Sequence, residues 1–148
     1  MESGKIPDNA ITASSIYPHA QYNPSYARLK KASSSCSWTP TGQGRVGSWL
    51  QVDLGKLTTV TGIATQGTCY GANEWTTSYS ISYSTEGNTW SFYVQSGNVV
   101  KVFQANADKN SIVTHSFKNP IHARYMRVLP KSWSSYPTMR LEYYGCPY

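Results

Sequence analysis

The sequence predicts an all-β fold of about eight short strands, arranged as a sandwich or a barrel. Aromatic residues make up 14% of the chain, the same share as charged residues, and tyrosine alone occurs 12 times. Such side chains pack well on a pleated sheet. Alternating runs lie between turn signals, and no helical pattern of roughly 10 to 15 residues separates them. The 148 residues fit a single domain, residues 1–148.

The first strand signals lie on either side of Gly55. Leu50, Val52 and Leu54 alternate with residues that point the other way, and a second alternating run begins at Val60. The pattern predicts two short strands hinged at the glycine.

A hairpin is predicted next. Tyr79, Ile81 and Tyr83 alternate with serines, and residues 85–88 then turn towards an apolar run at 90–94. The remaining predicted strands are 99–103, 112–117, 123–129 and 139–144.

Three connections, roughly 16–28, 33–48 and 66–78, are longer than hairpin loops need to be, which is typical of functional loops. They carry rigid aromatic rings with polar tips, which suit a sugar ring or a peptide. The tyrosines and tryptophan of the first and third loops are Tyr17, Tyr22, Tyr26, Tyr70 and Trp75.

The simpler role for some of these rings is packing. We expect Tyr26, Trp38 and Trp75 to cap the ends of the core, and we expect Trp49 and Trp90, which lie in predicted strands, to be core residues.

The net charge of +6 favours an acidic partner such as nucleic acid, anionic lipid or sulfated glycan. No basic tail and no nucleic-acid-binding motif accompanies the charge, so we expect no nucleic-acid partner. No apolar run of about 18 residues is present, so no transmembrane segment is expected either.

Catalytic and cofactor patterns are weak. Residues 42–47 match GxGxxG but lead into a strand instead of a helix, which excludes a dinucleotide site. No GxSxG is present, and no acid stands near a histidine to make a base; the histidines are His19, His115 and His122. Glu74 with Asn73 offers at best a weak calcium site. We therefore expect no enzyme, no cofactor and no metal.

The three cysteines, Cys36, Cys69 and Cys146, have no metal-ligand spacing. They fit a disulfide framework with one odd member, or alternatively three buried reduced thiols.

Ordered matches along nearly the whole chain resemble the discoidin, or coagulation factor V/VIII type C, domain family. They are IPD (6–8), ITASS (11–15), ARL (27–29), WLQVDLG (49–55), TQG (65–67), YSISYS (79–84), ARYMRV (123–128) and MRLEYYGC (139–146). The resemblance implies an eight-stranded antiparallel jelly-roll with ligand-binding loops protruding at one end, on an extracellular protein. It also implies that residues 48–67 form the core hairpin that holds these loops apart.

The resemblance also implies how the cysteines pair. Some family members join the second and third loops by a disulfide, and Cys36 and Cys69 fall at its two positions. Members usually tie their termini by another bridge; Cys146 matches its second half, which implies a first half upstream of Met1.

The resemblance leaves the ligand open. The predicted binding residues lie at the loop tips or beside a pocket known in members that capture a peptide terminus: Tyr17, His19, Gln21, Tyr22, Gln43, Arg45, Tyr70, Asn73 and Trp133. Leu, Phe and Met are absent from these tips, which disfavours membrane insertion. The sequence thus predicts a non-catalytic adhesion module for an extracellular glycan or protein. The alternative is peripheral binding to anionic phospholipid through Arg45, Lys30 and Lys31.

Overall fold

A computed structural model describes residues 1–19, 22–31, 36–70 and 72–147 and is almost entirely β. Short 3-10 turns lie at Asp8–Ala10 and Pro24–Tyr26. The strands are β1 (Ile11–Ala13), β2 (Leu50–Gln66), β3 (Trp75–Ser84), β4 (Ser91–Phe92), β5 (Val94–Gln95), β6 (Val99–Val100), β7 (Phe103–Gln104), β8 (Val113–Ser134) and β9 (Arg140–Pro147).

The two longest strands, β2 and β8, run antiparallel to each other, with pairs from Leu50 and Val128 to Thr65 and Val113. Leu50 to Asp53 pair with residues 125–128, and after a register shift Thr58 pairs with Ala123. Gly55 lies in this bulge with φ of 84°, a left-handed conformation that glycine adopts without strain. The expected hairpin at Gly55 is therefore wrong, because both halves of β2 continue antiparallel to the same partner strand.

The bend distributes the strands over two packed layers. One layer holds β1, the first half of β2, the second half of β8, β3, β4 and β7, and the other holds β9, the second half of β2 and the first half of β8. All of these pairings are antiparallel. The predicted jelly-roll sandwich is confirmed, although the runs at 50–54 and 60–64 merge into β2 and those at 112–117 and 123–129 merge into β8.

The core lies between the two layers and consists of every second residue of the strands, because successive side chains of a strand point to opposite faces of the sheet. Leu50, Val52, Ile63, Ile81 and Leu141 are completely buried. The predicted hairpin of β3 with β4 is also confirmed by the pairing of Tyr83 with Ser91.

Trp49 and Trp90 are not core residues, contrary to expectation. Their rings lie on the outer face of the first layer on either side of Arg127, whose Cζ is 3.9 Å and 3.7 Å from the two ring centroids. Gln51 accepts a hydrogen bond from Arg127 Nε at 3.0 Å. Trp49 precedes buried Leu50, so strand alternation turns its side chain outward.

Arg140 places a cation inside the domain, at the start of β9. It is 3% exposed, and burial lowers its pKa. Its guanidinium donates to four backbone carbonyls: Gly67 at 2.8 Å, Lys31 at 2.8 Å, Lys109 at 2.9 Å and Thr68 at 3.3 Å. One side chain therefore ties three loop segments to the sheet.

Two tyrosine hydroxyls are shielded between the layers. Tyr79 is completely buried and stacks on Phe103, and the hydroxyl of half-buried Tyr143 is equally enclosed. Neither hydroxyl has a hydrogen-bond partner among the residues described. Burial raises the pKa of both groups, and the proximity of Tyr79 raises that of Tyr143 further.

We expect Arg140→Met to lower the free energy of unfolding by about 3 kcal/mol or more, because it leaves buried carbonyls without a donor. Arg140→Lys should recover part of the loss. Urea unfolding measures the effect. Arg124→Met is the matched control, since the Arg124 side chain is 41% exposed and contacts Asp53 and the Tyr125 ring instead of buried carbonyls. An equal loss in both variants would contradict the role of Arg140.

We also expect stability to fall as the pH rises above about 10, because the unfolded chain then releases tyrosine protons that the folded chain retains. Each such tyrosine contributes a slope of about 1.4 kcal/mol per pH unit. Tyr143→Phe should reduce the slope by the contribution of one proton in urea titrations. An unaltered slope in Tyr143→Phe would show that this hydroxyl is not protected.

Candidate functional site

The long loops meet at the end of the sandwich where β3 begins and β8 ends. The Tyr17 N–H donates to the Thr39 carbonyl at 2.9 Å, which joins the first loop to the second. Trp38 exchanges two backbone hydrogen bonds of 3.0 Å with Met139, next to β9. Gln66 accepts from the Lys30 N–H at 2.7 Å and donates to the Asn110 carbonyl at 2.8 Å. These contacts gather the loops at one end, as predicted.

A small cavity opens between the loops, and we call it the tyrosine pocket. Its volume is about 80 Å³, and it is lined by Tyr17, Tyr22, Thr39, Glu74 and Tyr136. The Tyr17 ring meets Tyr22 and Tyr136 edge to face, with centroids 5.5 Å and 5.6 Å apart. Such edge contacts fix the rings against one another.

Glu74 gives the pocket a carboxylate. Its Oε1 accepts a hydrogen bond from Thr138 Oγ1 at 3.0 Å, which holds the side chain in place. The pKa of Tyr22 is raised by burial first and by the negative charge of Glu74 second. The pocket therefore offers a fixed anionic acceptor beside aromatic faces, an arrangement that suits hydroxyl or ammonium donors.

Arg45 approaches the same pocket from the second loop. Its Cζ lies 4.0 Å from the Tyr136 centroid, and its Nη1 donates to the Ser135 carbonyl at 3.2 Å. Its Nε is buried without a hydrogen-bond partner among the described residues. Arg45 thus braces Tyr136 rather than projecting freely towards an acidic ligand.

The structure brings four of the predicted binding residues to the pocket or its wall. Tyr17 and Tyr22 line it, and the rings of His19 and Tyr70 lie 6.4 Å and 5.7 Å from that of Tyr22. Arg45 makes a fifth through its contact with Tyr136.

The other predicted residues lie outside the pocket lining. Gln43 is exposed in a turn closed by the Gly44 N–H donating to Thr41, and Asn73 is exposed beside Glu74. Trp133 pairs with Thr76 within β8 and does not line the pocket. Gln21 lies outside the described residues.

Sequence reasoning missed Tyr136, Thr39 and the pocket role of Glu74. The sequence indicates Glu74 only as a weak calcium ligand. Within the described ranges, no group of three or more His, Cys, Asp or Glu residues could hold a metal. Tyr136 lies in the turn before β9, and Pro137 was the only signal that this turn exists. Nothing in the sequence places that turn against the first loop.

The Cys36–Cys69 disulfide is confirmed, with the two Cα atoms 6.1 Å apart. It joins the second and third loops beside the pocket, where the Cys36 N–H also donates to the Tyr70 hydroxyl at 3.4 Å. The alternative of reduced thiols is wrong for this pair. Cys146 is an exposed, unbridged cysteine on β9 among the residues described.

Comparison with known proteins agrees with this geometry. The F5/8 type C domain model matches residues 10–143. Lactadherin of Rattus norvegicus is 40% identical over 152 residues, which cover 99% of this chain and 35% of that protein. Coagulation factor V of Pseudonaja textilis is 37% identical over 150 residues, covering 99% of this chain and 10% of that protein. The chain therefore spans about a third or less of the length of these relatives.

A solved structure shares the fold. Recombinant discoidin II of Dictyostelium discoideum superposes with a TM-score of 0.80 at 25% identity, covering 93% of this chain and 55% of that one. In the portion that the structure describes, no helix is both long and apolar enough to cross a membrane.

We expect the double variant Cys36→Ser/Cys69→Ser to lose about 3 to 4 kcal/mol of unfolding free energy, as the chain-entropy relation gives for closing a loop of this length. Chemical unfolding under non-reducing conditions measures the loss. Cys146→Ser is the control and should match the parent protein. A double variant as stable as the parent would show that the bridge adds no stability.

Proposed function

The chain belongs to the F5/8 type C, or discoidin, domain family, and from this premise we propose that its tyrosine pocket binds an extracellular glycan or protein ligand. Domains of this family are non-catalytic binding modules for glycans, proteins or phospholipids. Lactadherin and the coagulation factors are secreted or extracellular, and the Cys36–Cys69 disulfide fits the same oxidising location. The domain is accordingly extracellular.

The observation that carries the proposal is the convergence of three tyrosine rings and one carboxylate on a single cavity. Each ring belongs to a loop rather than to a core strand, and each is only partly buried. Tyrosine rings present apolar faces with little loss of rotamer entropy on binding. A volume of about 80 Å³ admits one chemical group, such as the edge of a sugar or the tip of a side chain.

The polarity of the pocket favours a ligand that donates hydrogen bonds. Glu74 is an acceptor of fixed position, and none of the described residues that line the cavity has a basic side chain to receive an anion. Arg45, the nearest candidate from the sequence, stacks on Tyr136 and donates to Ser135. A sugar hydroxyl or an amine therefore fits this site better than a phosphate or a carboxylate.

Catalysis forms no part of the proposal. Among the described residues, the pocket lining contains one carboxylate and no histidine, and general acid and base chemistry requires a second group of matched pKa within reach. The domain then acts by holding its ligand.

Peripheral binding to anionic membranes is the second candidate, and Val46 is the observation in its favour. This side chain, in the second loop beside Arg45, is 88% exposed, and Ile16 in the first loop is 42% exposed. Burying one such aliphatic residue in a bilayer contributes only about 1.5 to 3 kcal/mol. The membrane function therefore also depends on the positive charges of Lys30, Lys31 and Arg45.

A glycan array and a liposome sedimentation assay, run side by side on the same protein, test the two candidates. We expect Tyr136→Ala to weaken binding of the array ligand at least about tenfold, because it removes a ring that loses contact with water in the complex. Glu74→Gln, which keeps the shape and removes the charge, should also weaken it.

Tyr144→Ala provides the matched control, since Tyr144 is an exposed tyrosine on β9 outside the pocket. Its affinity should equal that of the parent. Binding that requires phosphatidylserine, falls with added salt and survives Tyr136→Ala would replace the proposal with the membrane candidate.

A further inference from the structure

We propose a second ligand site, a basic groove on the side of the sandwich that takes a sulfated or carboxylated glycan chain. The groove lies between the β5–β6 hairpin and the first half of β8, and we call it the lateral groove. Its volume is about 610 Å³, and none of its lining residues belongs to the tyrosine pocket. The lining residues are Tyr93, Val94, Gln95, Ser96, Gly97, Asn98, Lys101, Phe103, His115, Ser116, Lys118 and Asn119.

The strand pairing leaves this groove open. β5 and β6 pair only with each other among the described strands and form a separate two-stranded sheet. From Val113 to Ser116, β8 pairs with β2 on one edge alone. The other edge therefore faces the groove instead of a neighbouring strand.

Aromatic packing makes the floor of the groove rigid. Phe103 is 4% exposed, and its centroid lies 5.7 Å from that of Tyr93 and 5.8 Å from that of Phe117. The Tyr93 hydroxyl accepts a hydrogen bond from the Asn119 N–H at 3.3 Å, which joins the two walls. His115 Nε2 lies 2.6 Å from the Gln104 carbonyl oxygen, so this ring is also held in place. A ligand would meet a preformed surface.

The charge of the groove is positive. Lys101 and Lys118 line it, and its described lining includes no aspartate or glutamate. Neither lysine forms a salt bridge with a described residue. The Lys101 ammonium lies 5.7 Å from the Phe103 ring centroid, which keeps it near the floor. Two ammonium groups without acidic neighbours in one concavity attract an anion with more than one charge.

The shape and the neutral lining favour a glycan chain as the source of these anions. A volume of about 610 Å³ lies in the usual range of small-molecule clefts, far above what one ion fills. Gln95, Asn98 and Asn119 add amide groups that hydrogen-bond hydroxyls as well as sulfates. A concave floor is accessible to a flexible oligosaccharide, whereas a flat bilayer surface meets only the rim.

Isothermal titration of the whole domain with a heparin-derived hexasaccharide, at low and at physiological salt, tests this site. We expect Lys101→Gln/Lys118→Gln to weaken binding about tenfold, as the loss of two solvent-exposed ion pairs predicts. Lys56→Gln/Lys131→Gln changes the net charge equally at two exposed lysines outside the groove and should stay within about twofold of the parent. If the first variant unfolds, Lys118→Gln alone, at an exposed lysine, should weaken binding about threefold.

Three outcomes would overturn the site. An equal loss in both lysine pairs would assign binding to the general positive field of the domain. A loss of hexasaccharide affinity in Tyr136→Ala would assign the hexasaccharide to the tyrosine pocket. An unchanged affinity in this variant would show that the lateral groove is a separate site, whether or not the tyrosine pocket binds a ligand. Sedimentation with phosphatidylserine vesicles that depends on Lys101 and Lys118 would identify the groove as a membrane contact instead.

Discussion

The buried guanidinium of Arg140 is the constraint on which the binding end depends. Loop carbonyls have no strand partner, and a carbonyl enclosed without a donor is costly. Arg140 supplies donors from the centre of the converging loops, to Gly67, Thr68, Lys31 and Lys109. No carboxylate of the described residues takes part, so the burial of the charge is offset by oriented backbone dipoles. Removing this cation would take away four of the hydrogen bonds that hold these three chain segments together and leave mainly the contacts of Gln66.

The bend shared by β2 and β8 supplies the other half of the frame. β2 and β8 remain paired with each other on both sides of the register shift between Asp53 and Thr58. Each of these two strands therefore contributes one half to each layer. The long loops lie together at one end of the sandwich, where the Cys36–Cys69 disulfide and the side chain of Gln66 connect them. The paired strands and the long loops are thus separated in space, which allows a stable sandwich to carry a binding site on its loops.

The two candidate binding surfaces differ in charge and in shape. The tyrosine pocket is small and has a carboxylate at its wall, whereas the lateral groove is larger and has two lysines and no acid. The net charge of +6 therefore describes neither surface by itself.

Composition and alternation determined the fold class, because a period of two and an excess of tyrosine have few explanations other than strands. The family resemblance then predicted the disulfide correctly. It also predicted that the long loops lie at one end of the molecule, where the structure has Tyr17, Tyr22, His19, Tyr70 and Arg45. Tertiary structure alone decided that Gly55 bends one strand instead of closing a hairpin, since both options share the same local pattern and differ only in which strand pairs with the second half. It also decided that Glu74 and Tyr136, which 61 residues separate in the chain, line the same pocket. Their proximity results from the convergence of two loops, and no local sequence pattern predicts it.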